Sequence, residues 1–199
     1  MRHYRKTQRA QSEIKTRERI VEATVALHGS VGPARTTISE IAKRAGVQRL
    51  TVYRHFPNEK ALFAACSGHY MAQNPLPDLA EFEALVEPAE RLKAALSTLY
   101  AWFNRNQRMV ALILRDAPIV NSMQQSMRAM ESFFQKLHAL LAANRQGGKE
   151  KTRRTAALIA LAISFSSWLE LSKSGLSDEE AAALMARAIE CGTEGPLAK

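Results

Sequence analysis

Cysteine is nearly absent: the 199-residue chain has only Cys66 and Cys191, far apart and with no CxxC spacing. That argues against a disulfide framework or a thiolate metal site and reads as a reduced, cytoplasmic protein. The five histidines show no paired metal spacing, and HExxH, GxSxG, a phosphate-binding P-loop and a GxGxxG after a strand are all missing. No catalytic residue, metal or cofactor is therefore expected, and the chain does not read as an enzyme. Long hydrophobic runs are missing too. The uncharged, mostly apolar stretch Thr155 to Leu169 contains three serines and falls short of the ~20 apolar residues that a membrane span needs. It reads as a buried helix, and no membrane partner is expected. The basic N-terminus is followed by no apolar segment of the kind a secretory signal carries. Glycine and proline, nine and seven residues, are sparse enough to leave long helices intact, and no segment alternates polar and apolar long enough for a strand.

What is present is ordinary globular composition, 46% hydrophobic and 24% charged, with an uneven net charge of +9. Residues 1–60 hold thirteen Lys and Arg against five Asp and Glu, whereas residues 61–199 hold fifteen against fourteen. A basic module joined to a near-neutral body is the arrangement expected of a polyanion binder, with nucleic acid ahead of an anionic membrane surface.

The pattern is all-α in two parts. Residues 1–16, with Arg2, Arg5, Lys6, Arg9 and Lys15, form a basic N-terminal arm expected to be mobile. Residues 17–72 form a helical head, and residues 73–199 a helical body. In the head, Ile20, Ala23, Thr24 and Leu27 mark a first helix ending near Gly29 and Gly32-Pro33. Thr37-Ile38-Ser39-Glu40 has the form of a capping box that starts a second helix, and Gly46 stands where a left-handed residue would end it. A third, short helix spans about Gln48 to His55, pinned by Val47, Val52 and Phe56. Asn58 caps a fourth carrying Leu62, Phe63, Cys66, His69 and Tyr70. Asn74 to Pro88 is a connector. Beyond it the periodicity predicts helices over Glu90–Asn104, Arg108–Asp116, Val120–Ala143, Thr152–Lys173 and Asp178–Cys191.

Two helices joined at a glycine turn, the second short and rich in donors, form a helix-turn-helix. In that geometry the first residues of the second helix lie nearest the base edges of the major groove. Here they are Gln48, Arg49, Leu50 and Thr51. Arg49 suits guanine O6 and N7, Gln48 suits adenine N6 and N7, and the Leu50 side chain or Thr51 methyl suits a thymine methyl. Tyr53, Arg54, His55 and Lys60 lie further along and suit phosphates, which set register without reading sequence.

The segment "TTISEIAKRAGVQRLTVYRHFPNEKAL", with its Thr pair, I-A-x-x-A-G-V, T-V-Y-x-H-F and N-E-K-A-L, resembles the DNA-binding signature of the tetracycline-repressor-like (TetR) family of bacterial regulators. The resemblance is strong over residues 15–70. It implies an N-terminal three-helix helix-turn-helix domain and a C-terminal helical bundle for ligand binding and dimerisation. It implies phosphate contacts by Tyr53, His55 and Lys60, with Thr37 joining them from the second helix, and base contacts by Gln48 to Thr51. The chain departs from the family pattern where Gln48 replaces the usual Ser or Thr cap and Leu50 the usual Gly or Pro, so no operator sequence transfers.

In the body, Met123, Met127, Met130 and Phe134 form a stripe at helical spacing, the mark of a core face or of a surface that adapts to ligands. The resemblance implies an apolar effector cavity, for which Trp102, Met127, Met130, Phe134 and Trp168 are the candidate lining. Asn106, Arg115, Gln124 and His138 are candidate polar groups within it. Ala157, Leu161, Ser164, Phe165 and Trp168 recur on one face, and Ala181, Leu184, Met185, Ala188 and Ile189 on another. The resemblance implies that these last two helices pair with a second copy as a four-helix bundle. The expectation is a homodimeric regulator, a repressor, that binds a double-stranded palindromic DNA operator and is released by a small apolar or amphipathic effector. The rival is a basic helical protein that coats DNA or an anionic surface without sequence preference.

Overall fold

Helix-forming residues dominate the chain, and the computed structural model, which describes residues 2–145 and 148–192, is built of helices with no strand among those residues. In chain order they are α1 (Arg2–His28), α2 (Ile38–Ala45), α3 (Arg49–His55), α4 (Glu59–Gln73), α5 (Leu79–Glu83), α6 (Pro88–Asp116), α7 (Gln124–Ala142), α8 (Lys149–Ala162), α9 (Phe165–Lys173) and α10 (Asp178–Cys191). Short 3₁₀ turns, Pro33–Arg35 and Asn121–Met123, precede α2 and α7. No single helix is long and apolar enough to cross a membrane.

The chain packs as two units. The first is Met1–Pro75 with Arg108–Arg128, and the second is Leu76–Gln107 with Ala129–Lys199. The break after Pro75 falls inside the connector read from the sequence. The return of Arg108–Arg128 to the first unit differs from a body running unbroken over 73–199. α6 and α7 each contribute to both units.

In the first unit, Ile20 and Val21 of α1, Ile41 and Ala42 of α2, Val52 of α3, and Leu62, Phe63 and Cys66 of α4 converge with Phe56 and Met123 in one buried cluster. Met123 is wholly enclosed, and Met127 packs at the edge of the same cluster. Residues 1–16, expected to be a mobile arm, have helical backbone from Arg2 onward and continue without a break into α1. No glycine or proline stands before Gly29 to stop a helix there. The side chains of Arg2, Arg5, Lys6 and Arg9 lie outside the described residues.

The second unit closes around Leu92, Leu96, Leu99 and Phe103 of α6, Leu137 and Leu141 of α7, Ile159 of α8, Trp168 of α9 and Ile189 of α10, all buried. Its polar groups are matched: Tyr100 donates from its hydroxyl to the Ala162 carbonyl at 2.8 Å, and the Trp168 indole donates to Asp178 Oδ1 at 3.0 Å. Buried Arg91 donates to the carbonyls of Leu85, Val86 and Leu140, joining the end of α5 to the end of α7.

Two helices differ from the periodic reading. Glu90–Asn104 and Arg108–Asp116 are one helix, α6, because the polar run between them contains nothing that breaks a helix. Asn106 is buried and satisfies its side-chain amide at the Trp102 carbonyl, 2.8 Å away within the same helix. Thr152–Lys173, read as one helix, bends by 64° between α8 and α9. Ser164 takes extended backbone angles there and accepts the Ser167 N–H as the cap of α9, the competition with helix that serine offers.

Candidate nucleic-acid interface

Local chemistry places each candidate side chain. Thr37 caps α2: its hydroxyl accepts the Glu40 N–H at 3.2 Å and donates to Glu40 Oε2 at 2.8 Å, while the Thr37 N–H donates to the same carboxylate at 2.9 Å. The side-chain hydrogen bond from Thr37 holds the Glu40 carboxyl below its ordinary range. The Thr37 hydroxyl proton is therefore already used inside the cap. Gly46 ends α2 in the left-handed region, φ 63 and ψ 41, where a Cβ is disfavoured, and the Val47 N–H closes the turn onto the Ala42 carbonyl at 3.0 Å.

α3 then starts at Arg49. Gln48 has the extended angles of a cap but makes no side-chain capping bond, so its amide stays outside the helix. Val52 and Phe56 point inward and are 0% and 2% exposed. One helical turn round, Arg49, Leu50, Tyr53 and Arg54 face outward, with Leu50 76% exposed. Thr51 and His55 are half-buried on the flanks. Asn58 caps α4 by accepting the Ala61 N–H at 2.8 Å, which places exposed Lys60 in the first turn of that helix. From Ile41 to Asn58 there is no acidic residue and there are four Lys and Arg.

His55 is the candidate whose surroundings are least settled. Its Nε2 is enclosed without a hydrogen-bond partner, and burial, then the charges of Arg54 and Arg17, lower the ring's pKa. The sequence reading passed over Arg17 itself. From α1 its guanidinium lies 4.2 Å from the Phe56 ring centroid, and Nη1 donates to the His55 carbonyl at 3.3 Å. A cation at the C-terminal end of α3 also suits the helix dipole. Only its spacing from Ile20 on α1 hinted that it faces α3.

The second candidate set divides between the units. Trp102, Phe134 and Trp168 gather round Phe103, with ring centroids 5.9, 6.2 and 5.7 Å from it, and Phe165 adds an edge at 5.4 Å. Phe103 is the centre of this cluster. Met130 is half-buried in the same unit, whereas Met127 packs in the first unit. Of the polar candidates, His138 pairs with the Ala156 carbonyl through Nε2 at 2.9 Å, Gln124 is exposed, and Arg115 is bonded within the first unit. Among the described residues no group of three His, Cys, Asp or Glu side chains is placed to hold a metal ion.

The family model described as bacterial regulatory proteins, tetR family, matches residues 20–66, the whole of this helix-turn-helix. That segment, about a quarter of the chain, is similar to the DNA-binding part of the TetR family. Curated relatives include the uncharacterised HTH-type transcriptional regulator YerO of Bacillus subtilis (strain 168), 29% identical over 102 residues, or 50% of this chain and 35% of YerO. An HTH-type regulator of Mycobacterium tuberculosis (strain ATCC 25618 / H37Rv) is 31% identical over 101 residues, or 51% of this chain and 50% of that protein. The match thus spans half or less of these relatives. Among solved structures, a TetR-like transcriptional regulator from Rhodococcus sp. RHA1 shares the fold at TM-score 0.64 and 18% identity, over 91% of this chain and 97% of that one. NalD, the secondary repressor of the MexAB-OprM multidrug efflux pump in Pseudomonas aeruginosa, does so at TM-score 0.62 and 23% identity, over 92% and 97%. The chain thus has the all-α fold of these TetR-like structures, with a helix-turn-helix segment that matches the tetR-family model.

Proposed function

We propose that the chain is a cytoplasmic, homodimeric repressor that binds a palindromic operator and is released by a small apolar or amphipathic effector. The observation that carries the reading is the outward face of α3, where Arg49, Leu50, Tyr53 and Arg54 stand together on a segment without acids. Gln48, Arg49, Leu50 and Thr51 read bases, and Tyr53, Arg54, His55 and Lys60 hold phosphates. A phosphate beside His55 would offer a partner to its unpaired nitrogen once the ring turns. Thr37 joins them by exchanging its bond to Glu40 for one to phosphate.

The dimer reading rests on apolar residues left at the surface of α8 and α10. Leu161 is 56% and Leu184 42% exposed, with Ala157 and Ala188 exposed beside them in sequence. Phe165 and Trp168, placed on that face by periodicity, are buried within their own unit and drop out of it. The effector reading rests on the rings around Phe103, with Trp102, Phe134, Trp168, Met130 and Met127 as the residues to test. By linkage, an effector that weakens operator binding must itself bind less tightly in the presence of operator, by the same factor.

Selection from random duplexes followed by footprinting tests the proposal. Two inverted half-sites on one face of the duplex, about 34 Å apart centre to centre, are expected. Protection of a single asymmetric half-site by a monomer removes the dimeric reading, and equal affinity for all duplexes leaves the nonspecific DNA-coating one.

A further inference from the structure

The loop between α1 and α2 is held from the far end of α6, entirely within the first unit. Asp116, the last residue of α6, is 2% exposed. Its Oδ2 accepts the Ala34 N–H at 2.9 Å, and its two oxygens accept from Arg115 Nε at 2.7 Å and Nη2 at 3.1 Å. The Arg115 Nη2 donates in addition to the Val31 carbonyl at 2.9 Å. About two helical turns back along α6, Arg108 donates to the Ser30 carbonyl at 2.9 Å. Three backbone groups of one short loop are thus bonded by side chains of a single helix.

The loop is shaped for this grip. Gly32 has φ 92, a conformation that favours glycine, and a Cβ on it would run into the Arg115 guanidinium and the Asp116 carboxylate. The 3₁₀ turn Pro33–Arg35 has no side-chain cap of its own. The Asp116 carboxylate supplies one from across the fold. Thr36 then bonds back through its hydroxyl to the Gly32 carbonyl at 2.8 Å, and the next residue, Thr37, is the cap of α2.

The arrangement is an expensive way merely to fill space. A buried carboxylate at a helix C-terminus opposes the helix dipole, and buried ion pairs are commonly no more stable than apolar packing of the same volume. What polar bonds add is fixed direction and register. α6 has no glycine and, after Pro88, no proline, so it is an unbroken rod ending at the loop that launches the helix-turn-helix.

We propose that Arg115 and Asp116 are positioning residues for DNA recognition, through which α6 sets the placement of residues 30–34 and so of the α2 N-terminus. The inference rests on the DNA-binding reading above.

The experiment uses the full chain, an operator obtained by selection from random duplexes, and Arg115→Ala, whose side chain is 44% exposed and absent from the core. Asp116→Asn and Gly32→Ala attack the same bonds from either side. Amide exchange at Ala34 and Val52, the thermal midpoint, and affinities for operator and random duplex are measured in one buffer. Arg115→Ala is expected to speed exchange at Ala34 but not at Val52, and to weaken operator binding about tenfold, the scale of one charge-assisted hydrogen bond. Random-duplex affinity is expected to change by less than about threefold, because phosphate attraction survives. The midpoint should stay within about 4 °C of wild type. Faster Ala34 exchange with unchanged operator affinity overturns the inference, as does a parallel fall in midpoint and in both affinities, which marks a merely structural pair. A wild-type chain that selects no sequence overturns the DNA-recognition reading and the inference together; a selected operator bound equally by Arg115→Ala overturns the inference alone.

Discussion

Arg49 and Lys60 carry the same charge and are proposed for different contacts. Arg49, first residue of α3, presents a planar fork suited to two acceptors on one guanine, whereas Lys60 on α4 is a point charge. Arg49→Ala is expected to lose ~1–3 kcal/mol and to flatten base preference at one position of each half-site. Lys60→Ala should weaken every duplex about equally and reduce the salt slope by about 1. Randomised half-site selections with each variant check this, and an Arg49→Ala profile identical to wild type would remove Arg49 from base readout. At this scale legibility follows distance along the chain. The caps at Thr37, Asn58 and Ser177 are local, each closed by the residue three further on, and all three are readable from a few letters. The bonds of Asp116 to Ala34 and of Arg115 to Val31 span 82 and 84 positions, and no local pattern carries them. Arg17 over Phe56 escaped notice for the same reason.

Among the elements, α1 shows how packing sets a titration. Its last residue, His28, is 8% exposed, with Cys66 Sγ 3.7 Å from Nδ1 and the Phe63 ring at 5.4 Å. Burial pushes the imidazole down from its ordinary 6.5 to about 4, against the opposing pull of the Asp116 carboxylate. Above pH 6.5 the ring is neutral in both folded and unfolded chains and has no effect on their balance. As pH falls from 6.5 towards 4, only the unfolded chain takes up the proton, so stability declines, by up to about 3 kcal/mol. Urea unfolding at steps between pH 7 and pH 4 should show this fall, and His28→Asn should lose much of the slope; an unchanged slope in the variant assigns it to other groups. Element boundaries were legible where a residue physically ends a helix, as Gly46 does at φ 63. They were not where composition misleads. The polar letters around Asn106 suggested a break in α6, but its amide is satisfied on the helix itself. Apolar letters on both sides hid the bend at Ser164.

For the molecule as a whole, the charge asymmetry between residues 1–60 and 61–199 announced a basic head on a neutral body, yet the hand-back of Arg108–Arg128 to the head depends on tertiary packing that periodicity does not report. The exposed leucines of α8 and α10 give the assembly its test. Leu161→Glu combined with Leu184→Glu places unpaired charge where two copies would meet, and sedimentation should show a monomer with operator affinity lowered at least about a hundredfold, the effect of losing one of two linked half-sites. A double variant that remains dimeric puts the interface elsewhere. The two thiols also divide the molecule. Cys66 is buried in the head, donates to the Phe63 carbonyl at 3.2 Å and has its pKa pushed up to about 12, while Cys191 is exposed at the end of α10. Because only thiolate reacts quickly, alkylating reagents address Cys191 alone in the native protein. A fluorophore or spin label can thus be attached to α10 of the wild-type chain, leaving the outward face of α3 chemically untouched.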